Sequence, residues 1–244
     1  MRRLLGLIAA AWLIAAPATG AVTVNANATA NAHTSSATAL NLTSLTIASG
    51  SNTVLVVQLS FSVKTVTSVT VTWDNGGTNQ AATLIKTANG SGSLSRAELW
   101  GLVAPVTGNK TLRITWTTTS ELYLNATAFD GVDQTGGVTT FPNSTSTTNT
   151  GTTASLVITS AVNNITIDTL TVAEIISNPT QTQLWLDNSG TNVGGGASRG
   201  VGAATVTHAW TIASSSIAWV IVGCDIAAVT VTTLPKLTLL GVGL

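Results

Sequence analysis

Long stretches of this chain alternate an apolar side chain with a hydroxyl, and this period-two pattern constrains the fold more than any other feature. In "TSVTVTWD" (67–74), Val69, Val71 and Trp73 fall on one side and Thr70 and Thr72 on the other; "NKTLRITWTT" (109–118) sets Leu112, Ile114 and Trp116 against Arg113 and Thr115. Successive side chains of a strand point to opposite faces, so the pattern predicts strands with one buried face. "NTVLVVQLSFSV" (52–63) keeps Leu55, Val57, Leu59, Phe61 and Val63 together, and "SSIAWVIVGCDIAAV" (215–229) is apolar on both faces, so these two read as central strands. Turn signals punctuate the pattern at Asp74 to Gly77, Asn89-Gly90, Pro105 to Gly108, Gly136-Gly137, Asn188 to Gly190 and Gly194 to Gly196. The expected fold is all-β: a two-sheet antiparallel β-sandwich, jelly-roll-like, of about twelve strands, because each one-faced strand has to bury its apolar side.

Ahead of the β pattern, "MRRLLGLIAAAWLIAAPATGA" places Arg2 and Arg3 before an apolar run from Leu4 to Ala16, with small residues around Ala18–Ala21. A basic start, an apolar stretch and a small-residue cleavage site mark a secretory signal peptide, and the run is shorter than the ~20 residues that span a bilayer. Residues 1–21 are therefore expected to be removed on export, leaving no transmembrane segment and a secreted, extracellular or cell-surface protein. Residues 22–229 read as a single β-sandwich domain, and 230–244 as an apolar tail that forms a last strand or a disordered end. "NTVLVVQLSFSV…VTWDNGGTN" is echoed by "NITIDTLTVAEI…LWLDNSGTN", and Phe129-Asp130 by Cys224-Asp225, giving halves of about 51–132 and 163–228. That is either a weak internal duplication or the self-resemblance of a threonine-rich β sequence. The Thr-, Ser- and Asn-rich stretch 134–153 reads as a seam or a long surface loop.

Charged residues are 7% of the chain, against about a quarter in ordinary soluble domains, so Thr, Ser and Asn have to cover the polar faces. Such a surface has little charge repulsion to hold copies apart, which points to self-association or embedding in a matrix. Without Arg2 and Arg3 the nine basic residues fall to seven against nine acidic ones. Phosphate binding needs clustered Lys and Arg, so no nucleic-acid partner is expected. Cys224 is the one cysteine; with no internal disulfide available the exported chain has to rely on its core, and the apolar run around Cys224 predicts a small buried hydrophobe.

Zinc needs several ligands at short spacing, whereas His33 and His208 are far apart. No G-x-S-x-G nucleophile motif occurs. Glycoside cleavage needs two carboxylates about 5–10 Å apart, and Glu98, Glu121, Glu174, Asp130 and Asp133 form the pool. Glu98 and Trp100 fall on one strand face, as an acid and a sugar platform would, or as an exposed Glu beside a structural Trp. Trp100, with Arg96 and Glu98, and Trp185, with Gln183 and Asp187, alternate with polar neighbours. They would face solvent and stack on sugar rings, or else cap the core. "DGVDQTGG" offers Asp130 and Asp133 as oxygen ligands for a structural calcium, although Asp is also an ordinary turn residue. No other cofactor is expected.

Four segments together, "SVTVTW", "RAELWGLVAPVTGNKTLRITW", "AFDGVDQT" and "AWVIVGCDIA", resemble a β-sandwich module that recurs in uncharacterised bacterial secreted and phage-associated proteins. The likeness covers roughly 50–228 and departs from the module's pattern at Gly101 and Gly136. It implies a hairpin in which "ELW" pairs with "LRITW" across "APVTGN", sending Leu99 and Trp116 to the core, and it carries no catalytic residues. The expected function is a secreted, non-enzymatic structural or adhesion module of a cell surface, matrix or virion. The alternatives are a carbohydrate-binding module using Trp100 or Trp185 and a polysaccharide-acting enzyme using Glu98.

Overall fold

The computed structural model describes residues 18–91, 94–190 and 194–231, which form an all-β antiparallel sandwich with one helical turn, Gly137–Thr140. Most of the expected signal peptide, and all but the first two residues of 230–244, lie outside the described residues. Among those described, no helix is long and apolar enough to cross a membrane.

One strand of 19 residues, Leu112–Asp130, organises the first half. On one side it pairs with Thr23–Leu42; on the other it pairs first with Thr70–Trp73 and then with Val54–Val63. Beyond Val54–Val63 lie Leu94–Val103 and the edge strand Thr83–Asn89. Register shifts between Thr115 and Leu122 interrupt the long pair. Such irregularities bend and twist a ladder, and the resulting sheet, seven-stranded with Gln80–Ala81 beside Thr70–Trp73, curls over its own apolar face. Leu55, Val57, Leu59, Phe61, Trp73, Leu112, Ile114 and Trp116 fill the enclosed space.

The second half repeats this strand order in two separate sheets. Thr145–Thr150, Ala218–Ile226, Ile165–Val172, Gly194–Val201 and Thr182–Asp187 form a five-stranded sheet, and Thr153–Thr159, Thr205–Ile212 and Ile176–Ser177 a three-stranded one. The curled sheet runs unbroken where these two are divided, at Gly151, whose φ of 128° ends the first strand, and at the bend 213–217. The five-stranded sheet is thus a middle layer. Ile165, Ile167, Val220, Val222, Cys224 and Ile226 meet Val54, Val56, Ala97, Leu99 and Phe129 of the curled sheet. On its other face, Leu170, Val172 and Ile221 meet Leu156, Ile158, Trp210 and Ile212. Burial on both sides explains why 218–226 carries apolar residues at every position but Gly223 and Asp225, and why 54–63, between two packed faces, is buried almost throughout.

Three local expectations are corrected. "ELW" and "LRITW" do not form a hairpin, because Val54–Val63 lies between their strands; 104–111 is instead a crossing, held where Trp73 Nε1 donates to Val106 O at 2.8 Å and Val106 N to Gln80 Oε1 at 2.7 Å. The stretch 134–153 is not a surface loop throughout, since after the helical turn Gly137–Thr140 its Thr145–Thr150 pairs with the central strand Ala218–Ile226. Gly194 to Gly196 is not a turn but the buried start of a strand. A Cβ at Gly196 would stand 2.8 Å from the Trp210 ring and 2.9 Å from Ile176, so the missing side chain is what lets the indole lie against the backbone. Gly196→Ala should therefore destabilise the protein by about 1–3 kcal/mol through overpacking, read as a lower urea midpoint; an unchanged midpoint would contradict this packing.

Candidate functional site

Arg96, Glu98 and Trp100 do share one face of Leu94–Val103, opposite Phe61, Leu59 and Val57. The face is not open, however: Glu98 is 0% exposed because the curled sheet closes over it. Arg96 Nε donates to Glu98 Oε1 at 2.6 Å, Arg96 Nη2 lies 2.6 Å from the same oxygen, and Trp100 Nε1 donates to Oε2 at 2.7 Å. Both carboxylate oxygens are thus engaged from within, whereas a general acid has to reach the proton of a substrate. Trp100 is half-buried against the first-half core, beside Leu84 on the edge strand.

Trp185 belongs to a different cluster, and of the two expectations, facing solvent or capping the core, its 5% exposure fits the second. Its ring stacks on Tyr123 at 6.2 Å, and Tyr123 stacks on His33 at 4.4 Å with 6° between the planes. Glu121 Oε1 lies 3.1 Å from His33 Nε2 and accepts from the Tyr123 hydroxyl at 3.3 Å. Burial, and then the charges of Glu121 and Asp187, push the Tyr123 phenol well above its ordinary value. Sequence alone shows Glu121 and Tyr123 two residues apart on one strand face; nothing in it brings His33 from 88 residues away.

The most concentrated polar chemistry lies between the middle and third layers. Asp168 Oδ2 accepts from Trp210 Nε1 at 2.7 Å, and Oδ1 accepts from the backbone N–H of Ser198. The Ser198 hydroxyl is 2.8 Å from His208 Nδ1, and Thr166 Oγ1 is 2.8 Å from Nε2. A hydrolytic relay places the nucleophile and the acid on opposite ring nitrogens. Ser198 and Asp168 crowd the same one, with Asp168 Oδ1 at 3.6 Å from Nδ1. Thr166 does stand across the ring from Asp168, yet Thr166, Asp168, Ser198 and His208 are all at 0% exposure, beyond reach of a substrate. The arrangement satisfies buried polar atoms, as a packed core requires. The visible sequence signal is Asp168, the one charged residue of the strand Ile165–Val172.

Asp130 and Asp133 are held by separate partners. Asp130 accepts from Thr53 Oγ1 at 2.6 Å and Asn25 Nδ2 at 2.8 Å, whereas Asp133 Oδ1 accepts from Thr135 N at 2.9 Å. Asp225, near the end of the corresponding strand of the second half, likewise accepts from Ser160 Oγ at 2.7 Å and Asn164 Nδ2 at 2.6 Å. Burial pushes its carboxyl up, with those two bonds acting against the shift. Among the described residues no three His, Cys, Asp or Glu side chains converge as a metal site. Cys224 is buried, and burial followed by the charge of Asp225 pushes its thiol far above the ordinary range. Such a thiol is inert.

No protein-family model matches the chain, and neither the curated proteins nor the solved structures provide a match.

Tyr123 is the chain's only tyrosine, so the tyrosinate absorbance band reports it alone. Its raised folded value means that its contribution to stability is fully present below the ordinary value of about 10 and is lost as pH rises through the folded value. The folded chain should show no tyrosinate at a pH of about 11, a unit above that ordinary value; ionisation there without unfolding would contradict the burial. Asp168→Ala leaves Trp210 Nε1 without its acceptor and should cost about 1–3 kcal/mol, measured by equilibrium denaturation; an unchanged stability would contradict the network.

Proposed function

We propose that the chain is a secreted, non-enzymatic structural or adhesion module of a cell surface, matrix or virion. The observation that carries this reading is that the side chains best suited to chemistry are turned inward and bonded to one another. Glu98 is held by Arg96 and Trp100, Glu121 by His33 and Tyr123, and Asp168 by Trp210 and Ser198. What faces outward is largely uncharged and hydroxyl-bearing, as in the Thr67–Thr117 and Thr70–Thr115 pairs, each joined at 2.7 Å. Surfaces of this kind associate with little electrostatic opposition, which supports self-association as the mode of assembly. The likeness of the four sequence segments to a module of secreted and phage-associated proteins points the same way.

Carbohydrate binding is the second reading, and Trp100 favours it, since that indole keeps part of its surface open beside the exposed Leu84. A sugar would stack on the free part of the ring while Glu98 fixes the indole N–H. Sedimentation velocity over a hundredfold range of concentration should show reversible association of the full chain; a strict monomer throughout would sink the assembly reading. A glycan array separates the second reading: binding abolished by Trp100→Ala supports it, and no binding by the wild type removes it.

A further inference from the structure

Four large apolar side chains left exposed, Leu84, Val138, Val162 and Val201, gather at two cavities along the seam between the halves. The cavity at Leu84 and Val138 has no charged group in its lining. The other, of about 360 Å³, lies between Ala21–Val24 and the segments 162–165 and 199–202, and it holds one charged side chain, Arg199. That volume falls within the roughly 300–1,000 Å³ of small-ligand sites.

The walls of this second cavity are fixed by backbone hydrogen bonds, Val22 N to Asn163 O at 2.8 Å and Gly202 N to Asn164 O at 2.9 Å. Val22, Val24, Val162, Ile165 and Val201 supply the apolar lining. The Asn164 amide is already engaged, by Asp225 and by the N–H of Ala228. Arg199 is different. Of the three arginines among the described residues, Arg96 is paired with Glu98 and Arg113 donates to Asn41, while the Arg199 guanidinium has no hydrogen-bond or ion-pair partner among the described residues. It sits half-buried on a strand between Ile167 and Thr182. Partial desolvation of an unpaired guanidinium is unfavourable, and a planar anion restores what is lost, because the guanidinium fork matches a carboxylate with two parallel hydrogen bonds.

We propose that this seam cavity binds a small amphiphilic carboxylate, with Arg199 holding the carboxylate and the valine walls taking the aliphatic tail. Octanoate, kept below its micelle concentration, is the probe, titrated into the full chain by isothermal calorimetry. One saturable site per chain is expected, with Kd rising at least tenfold in Arg199→Gln and for octanol on the wild type. Arg199→Lys, which keeps the charge, should retain most of the affinity, and an unchanged melting temperature shows that the variants fold. Absence of saturable binding overturns the proposal, as does equal affinity in wild type and Arg199→Gln. Binding to phosphatidylglycerol vesicles but not to octanoate overturns it too, in favour of a lipid surface.

Discussion

Val54, Val56, Leu99 and Phe129 press from the curled sheet onto Ile167, Val220, Val222 and Cys224, while Leu170, Val172 and Ile221 on the opposite face of the same five-stranded sheet press onto Leu156, Ile158 and Trp210. Strands covered on both faces have to be apolar at nearly every position or satisfy each polar group from their neighbours. Ala218–Ile226 takes the first course and Ile165–Val172 the second. Its Thr166 and Asp168 are met from the third layer, and Thr169 and Thr171 from the curled sheet through Ser60 Oγ and the carbonyl of Arg96. Gln58 and Ser60 answer in kind by donating to the carbonyls of Asp168 and Leu170. The two halves are therefore joined by hydrogen bonds as well as by apolar contact.

The same constraint accounts for the fate of the charged residues. With two interfaces to fill and few charges available, Glu98, Glu121, Asp168 and Asp225 fall into the interior and are met by local donors, as Glu98 is by Arg96 and Trp100. A buried pair of this kind is weak support for stability, since desolvation offsets most of its attraction, but removal of either partner strands the other. Such residues can look catalytic in sequence and still serve the fold. Arg199 stands apart because the seam gives it an opening and, among the described residues, no acid.

The alternation of single strands made the fold class legible, and the 215–229 stretch, apolar on both faces, marked a central strand. The echoes of "NTVLVVQLSFSV" in "NITIDTLTV" and of Phe129-Asp130 in Cys224-Asp225 fall on corresponding strands of the two halves, whereas "DNGGTN" follows Thr70–Trp73 and "DNSGTN" follows Thr182–Asp187, which hold different places in the strand order. Layering was hidden, because a strand buried against a second sheet through Gln, Ser and Thr has the same alternation as one facing water. For that reason Trp185, read as either exposed or capping the core, proves to be buried against Tyr123 of the curled sheet, whereas Glu98 read as exposed and is buried by the curl of its own sheet. The glycines at 194–196 misled for a related reason: a residue that makes room for an indole and a residue that turns the chain are both glycine. Pairings such as His33 with Tyr123, or Asp168 with Trp210, depend on which strands become neighbours, and alternation within one strand carries no information about that.

The middle layer couples both halves into one cooperative unit, and native-state hydrogen exchange tests this most directly. The amides of Val54–Val63 and Ile165–Val172 should be the slowest in the molecule and should exchange together, through global unfolding. If the amides of Ile165–Val172 open at markedly lower free energy while those of Val54–Val63 stay protected, the halves are independent and the account fails.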